Sequence, residues 1–171
     1  MNTILDILGA SVIGGLIMLT LIMSLTAVTD TNVLLTRELA VQQRIGTIET
    51  MLLHDLYSAG RGVPDTSCAV LTADSAEFIF IGDENCDSII DTIRYANTVA
   101  SGRSKIVRRA GEYLGDGGIS FTYYTSVGAV TSSPSAVRSV GVSIRLQDDI
   151  EINGERAGAF LQRRVYLRNI R

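Results

Sequence analysis

Residues 7–29, ILGASVIGGLIMLTLIMSLTAVT, carry no charged side chain, and apolar positions fall on every side of the helix they predict. At 1.5 Å per residue such a helix spans about the 30 Å of a bilayer's hydrocarbon core. Gly9, Gly14 and Gly15 weaken it in water, where each costs about 1 kcal/mol relative to Ala, but they allow a neighbouring helix to approach closely. At Asp30 the pattern changes without a break. Over residues 31–59 no Pro intervenes, and Leu34, Val41, Ile45, Ile48, Leu52 and Leu56 recur at spacings of three, four and seven, an amphipathic stripe. Arg37, Glu38, Gln42, Gln43, Arg44 and Glu49 take the other faces. Gly60, Gly62 and Pro64 then supply the stop signals of a helix C-terminus. The first 59 residues therefore predict one long helix, apolar all round at first and on one stripe afterwards.

Beyond Pro64 the period becomes two. Candidate strands cover residues 77–82, 91–97, 105–110, 119–126, 137–147 and 160–170. Turn chemistry separates them at Gly102, at the GDGG of residues 115–118, at residues 132–134, and at Asn153 with Gly154. The last four strands predict an antiparallel meander. Val140, Val142, Ile144 and Leu146 put one face of it on a core, with Ser139, Ser143 and Arg145 on the other. The stripe on the helix is the natural cover for that face. The expected fold class is α+β: an apolar helix over residues 1–29, its amphipathic continuation over 30–60, and an antiparallel β-sheet domain over 61–171.

Charge sharpens this picture. The formal net charge of −3 gives no overall basic excess, but its distribution is uneven. Residues 1–100 carry 12 acids and 4 bases, a balance of −8; residues 101–171 carry 11 bases and 6 acids, a balance of +5. The two halves either cancel inside one folded unit or orient copies of the chain against each other. Cys68 and Cys86 are the only cysteines. With a membrane-length segment at the start, export and a disulfide between them are favoured over two buried thiols; closing that loop would stabilise by roughly 3 kcal/mol.

An apolar helix continuing into an amphipathic helix and a small sheet resembles the type IV pilin and pseudopilin family. The mature N-terminus of that family reads phenylalanine–threonine–leucine–isoleucine–glutamate. Here NTILD, residues 2–6, lines up with it, Thr3 on the threonine and Asp6 on the glutamate. Asn2 replaces the aromatic residue, and Met1 stands where the leader's glycine would be. Later segments, GDENCDSIIDTIRYANTVASGRSKIVRRAG, GGISFTYYTSVGAV, AVRSVGVSIRLQ and RRVYLRN, resemble in their order the larger minor pilins and the minor pseudopilins of type II secretion.

The resemblance implies a pilin-like structural subunit. It would sit in the inner membrane before assembly and in an extracellular filament afterwards. Its partners would be further copies of itself, a prepilin peptidase and an inner-membrane assembly machinery. Asn2, Thr3, Asp6, Gly9, Gly14 and Gly15 would be the assembly residues, and no cofactor is implied. The Asp6 carboxylate would meet the α-amine of an adjacent subunit, since a carboxylate in an apolar bundle is costly without a partner. The alternative is a headgroup-level cap on the helix N-terminus. The absence of Lys or Arg before the apolar run fits a removed leader, or loss of Met1 alone, better than a plain anchor or a cleaved signal.

Other constellations are weaker. Asp83, Glu84, Asp87 and Asp91, with Asn85, offer oxygen ligands for Ca²⁺, but lack the EF-hand spacing and read more simply as solvated turn acids. Arg103, Lys105, Arg108 and Arg109, with Arg163, Arg164 and Arg168, could contact nucleic acid, with Tyr123, Tyr124 and Tyr166 as stacking platforms. Edge protection or pairing with the acidic half explains the same bases, and nucleic acid is not the expected partner. His54 and Asp55 are adjacent and cannot share a helix face, so they predict no catalytic pair. No P-loop, dinucleotide fingerprint or nucleophile elbow occurs, and no enzyme activity is expected. Two alternatives stand beside the filament subunit: a low-abundance minor pilin or pseudopilin that primes assembly, and a membrane-anchored extracytoplasmic binding module.

Overall fold

A computed structural model describes residues 2–100, 103–109, 112–152 and 154–170. Met1, Gly102, Ala110 and Asn153 of the readings above lie outside the described residues. Helix α1 spans Asn2–Ser58 without interruption. The hydroxyls of Ser11, Thr20, Thr26, Thr29 and Thr31 fold back onto carbonyls three or four residues earlier. These side chains thus meet their hydrogen-bonding needs within the helix, as an apolar surrounding requires. The helix ends where expected. Gly60 takes φ +76°, and its N–H donates to Ile81 O at 2.9 Å instead of continuing the ladder. A Cβ there would lie 3.1 Å from Asn169 O. Helix carbonyls left without a donor are met from the far end of the chain: Asn169 Nδ2 donates to Tyr57 O at 2.8 Å and to Ala59 O at 3.2 Å.

Seven strands follow: β1 Val70–Ala73, β2 Glu77–Gly82, β3 Asp91–Ala100, β4 Arg103–Arg108, β5 Glu112–Tyr124, β6 Ser139–Ile152 and β7 Glu155–Tyr166. They pair antiparallel in sequence order, so the whole domain is one meander and the class is α+β. β1 is an additional strand, too short to leave a period in the sequence. The GDGG segment is not a turn. It lies inside β5, whose residues 112–116 pair with β4 and whose residues 117–124 pair with β6. Gly117 has φ +140°, and a Cβ on it would come within 1.9 Å of Arg145 O. The glycines therefore let one strand change partners with its neighbour's backbone in close contact, a bend rather than a break. Ser139 also departs from the expected alternation: it is buried, and its Oγ accepts from Arg164 Nε at 3.1 Å.

The core lies between the second half of α1 and the sheet. Ile45, Ile48, Leu52, Leu56 and Ala59 meet Phe78, Phe80, Ile93, Ile106 and the inward residues of β5 to β7. Val140, Val142, Ile144 and Leu146 are all buried, as their alternation predicts. The first half of α1 has no such cover. Leu8, Leu16, Ile22 and Leu25 are exposed, and the helix is long and apolar enough to cross a membrane.

Candidate functional site

Two features of α1 stand apart from ordinary packing. The first is the N-terminal segment. Thr3, Asp6, Gly9, Gly14 and Gly15 all lie on its exposed surface, and Asn2 begins the helix. The three glycines have open space where a Cβ would be. Asp6 is exposed with no partner among the described residues.

The second is a charged cluster where α1 meets the sheet. Asp55 lies three residues past Leu52 and seven past Ile48, on the buried stripe itself, and is wholly buried. Arg108, at the end of β4, answers it: Nε donates to Oδ2 and Nη2 to Oδ1, each at 2.7 Å. The fork of the guanidinium matches both carboxylate oxygens, the strongest form of such a pair. Tyr95 on β3 adds its hydroxyl to Oδ2 at 2.5 Å. Arg108 reaches further, to Glu84 at 2.8 Å and Glu112 at 3.1 Å, and Glu84 also pairs with Arg109. One arginine thus gathers carboxylates from the helix, the β2–β3 loop and β5.

Burial, and then the Asp55 charge beside it, holds the Tyr95 phenol neutral far above the usual tyrosine range. The hydrogen bond to Asp55 pushes Arg108 up in turn. The arrangement ties the helix to the sheet through a buried, bidentate ion pair.

The acidic loop is also occupied by its own chain. Asp83 accepts from the backbone N–H of Asp87 and Ser88 at 3.2 and 3.0 Å. Asp87 accepts from Asn85 Nδ2 and from Ile89 N. Asp91 begins β3 opposite Gly82. With Glu84 held by two arginines, these acids turn to different donors, and no group of three or more metal ligands forms among the described residues.

The bases read as a nucleic-acid surface are largely engaged within the protein. Arg108 is buried, which removes it from that set, and Arg109 is tied to Glu84. Arg163 pairs with Glu49 at 2.7 Å. Arg164 lies 3.9 Å over Tyr124, and Arg168 lies 4.5 Å over Tyr57. Lys105 stands 5.0 Å over Tyr113, while Arg103 is exposed near Asp149 O. Tyr123 is no stacking platform, because it is buried with its hydroxyl on Asp74 O at 2.7 Å. Bases from the second part of the chain therefore pair with acids from the first at Asp55, Glu84 and Glu49, so much of the uneven charge cancels inside the fold.

Cys68 and Cys86 are both exposed, and the structure draws no bond between them. Cys86 Sγ accepts from Arg61 Nη1 at 3.1 Å, while Cys68 Sγ faces Asp65 Oδ2 at 3.7 Å. His54 is exposed while Asp55 is buried, so they point apart. No family model, curated protein or solved structure matches the chain.

Proposed function

We propose that this chain is a structural subunit of a type IV pilus-like filament that polymerises through its apolar N-terminal helix. One observation carries the proposal. A single helix is sealed into the β-domain over its second half and leaves its first half, apolar on all sides, without cover from its own chain. The order of Thr3, Asp6 and an uncharged run supports the reading, because it places one carboxylate at the start of that surface. In this scheme the helix waits in a bilayer, and on assembly protein replaces lipid around it. Because lipid tails are as apolar as the helix, the gain on assembly comes from close packing at Gly9, Gly14 and Gly15, which makes contacts that lipid does not match.

Asp6 supplies the register. Paired with the α-amine of a neighbouring copy, its carboxylate is neutralised only when the subunits stand at the right axial offset. Asp6→Ala and Asp6→Lys are therefore expected to abolish filaments while leaving a folded, membrane-inserted subunit. Electron microscopy of sheared surface material, with mass spectrometry of the subunit, reads the outcome. Normal filaments from both variants would remove Asp6 from the mechanism. Filaments in which this chain is a trace component would instead favour a minor, assembly-priming subunit.

A further inference from the structure

The end of the β-domain nearest the apolar segment carries an arginine-lined recess of about 320 Å³. Arg103 at the start of β4, Arg145 on β6 and Arg156 on β7 line it, with Asp116 and Asp148. Its place is set by an ion pair. Arg37 on α1 binds Asp148 at 2.8 Å, and Arg37 also lines a second recess that follows the helix through Thr29, Asn32, Val33 and Thr36. Arg37 lies only seven residues past Asp30, where the uncharged run ends, about 10 Å along a helix axis. That is about one Debye length at physiological salt.

The charges in the recess are unequally engaged. Asp148 is held by Arg37, which keeps its carboxyl below the usual range. Arg156 is shared with Glu151 at 3.0 Å, and Arg103 reaches only a carbonyl, Asp149 O, at 3.4 Å. Arg145 is exposed and has no side-chain partner among the described residues. Asp116 Oδ1 is the opposite case, a buried acceptor without a donor, although the Tyr113 hydroxyl bears on the same carboxylate. An occupant that suits both must carry an anion for the guanidinium groups and a hydroxyl or N–H for Asp116.

The geometry points to a binding site for the phosphate diester headgroup of an anionic glycerophospholipid, with Arg145 and Arg103 taking the phosphate and Asp116 accepting from a headgroup hydroxyl. The position beside the membrane-length helix is what favours a lipid over a free phosphate. The inference rests on the membrane-inserted state in the reading above and is independent of polymerisation, so its failure and that of the filament are separately visible.

The test uses the full chain in a zwitterionic detergent, with short-chain phosphatidylglycerol, the matching phosphatidylcholine and inorganic phosphate as probes, followed by native mass spectrometry. Phosphatidylglycerol is expected to bind at least about tenfold more tightly than either other probe. Arg145→Gln is expected to weaken it by about tenfold, the scale of one charge-assisted hydrogen bond, and Arg103→Gln combined with Arg145→Gln to weaken it further. Thermal unfolding of Arg145→Gln should match the parent chain, since that side chain has no partner to lose. Equal binding of the two lipids overturns the site, as does unchanged binding in the double variant. Inorganic phosphate binding as tightly as phosphatidylglycerol overturns the lipid assignment and leaves a free-phosphate site.

Discussion

The two halves of α1 share one backbone and live by opposite rules. Near its start Ile4 is 66 % exposed and Leu25 is 72 % exposed; near its end Leu52 and Leu56 are 1 % and 0 % exposed. Threonine hydroxyls bond to the helix's own carbonyls in both halves, so these bonds do not make the difference. In the second half the helix depends on distant residues: Arg108 for the Asp55 charge, and Asn169 for its last carbonyls. The contrast teaches that the β-domain packs its core without the first half, whereas the first half gains no cover from the described residues of this chain.

The largest expected effect comes from separating them. Removing residues 1–29 should turn a chain that partitions into detergent or lipid into one that stays in water, with the melting midpoint of the β-domain shifted by no more than a few degrees. Detergent-free gel filtration and circular dichroism measure both. A truncated domain that unfolds or aggregates would show that the halves are not independent.

Next in size is the junction. Arg108→Ala leaves the Asp55 carboxylate buried with Tyr95 as its remaining hydrogen-bond partner, and should cost about 3–5 kcal/mol of unfolding free energy. Denaturant titration reads this directly, and a loss below 1 kcal/mol would mean that water reaches Asp55.

Alkaline pH probes the same place more gently. Burial holds the Tyr95 and Tyr123 phenols neutral well above their ordinary range, so the folded state keeps protons that the unfolded chain releases from about pH 10 upward. Stability is therefore fully present below pH 10 and falls above it, by about 1.4 kcal/mol per pH unit for each such tyrosine. Tyr95→Phe should roughly halve that slope, and an unchanged slope would assign the effect elsewhere.

The smallest effect belongs to the Arg37–Asp148 pair, which is partly exposed at both ends. Arg37 lowers the Asp148 pKa, so the pair contributes above the ordinary aspartate range and is lost as pH falls through the depressed value. Asp148→Asn should cost no more than about 1 kcal/mol. Hydrogen exchange should rise at the free end of the β6–β7 hairpin and nowhere else.

Much of this architecture was legible in the spacing of residues. The stripe from Val41 to Leu56 and the alternation from Val140 to Leu146 each repeat often enough to declare an element and its buried face. Asp55 was legible in principle, as an acid at a stripe position, but nothing local says that a strand more than 50 residues away will bring Arg108 to it. GDGG misled for a physical reason: the glycines that make a turn cheap also let a strand pass close to its neighbour, and sequence does not tell the two uses apart.

Sequence alone determined the long helix, the residue where its pattern changes, and a meander of the last four strands, because these follow from periods of 3.6 and two and from uninterrupted apolar length. The tertiary structure decided which charges are solvated and which are buried, where β5 changes partners, and which arginines gather at the end of the domain near Arg37. Those outcomes depend on contacts between residues far apart in the chain, and such contacts leave no period to read.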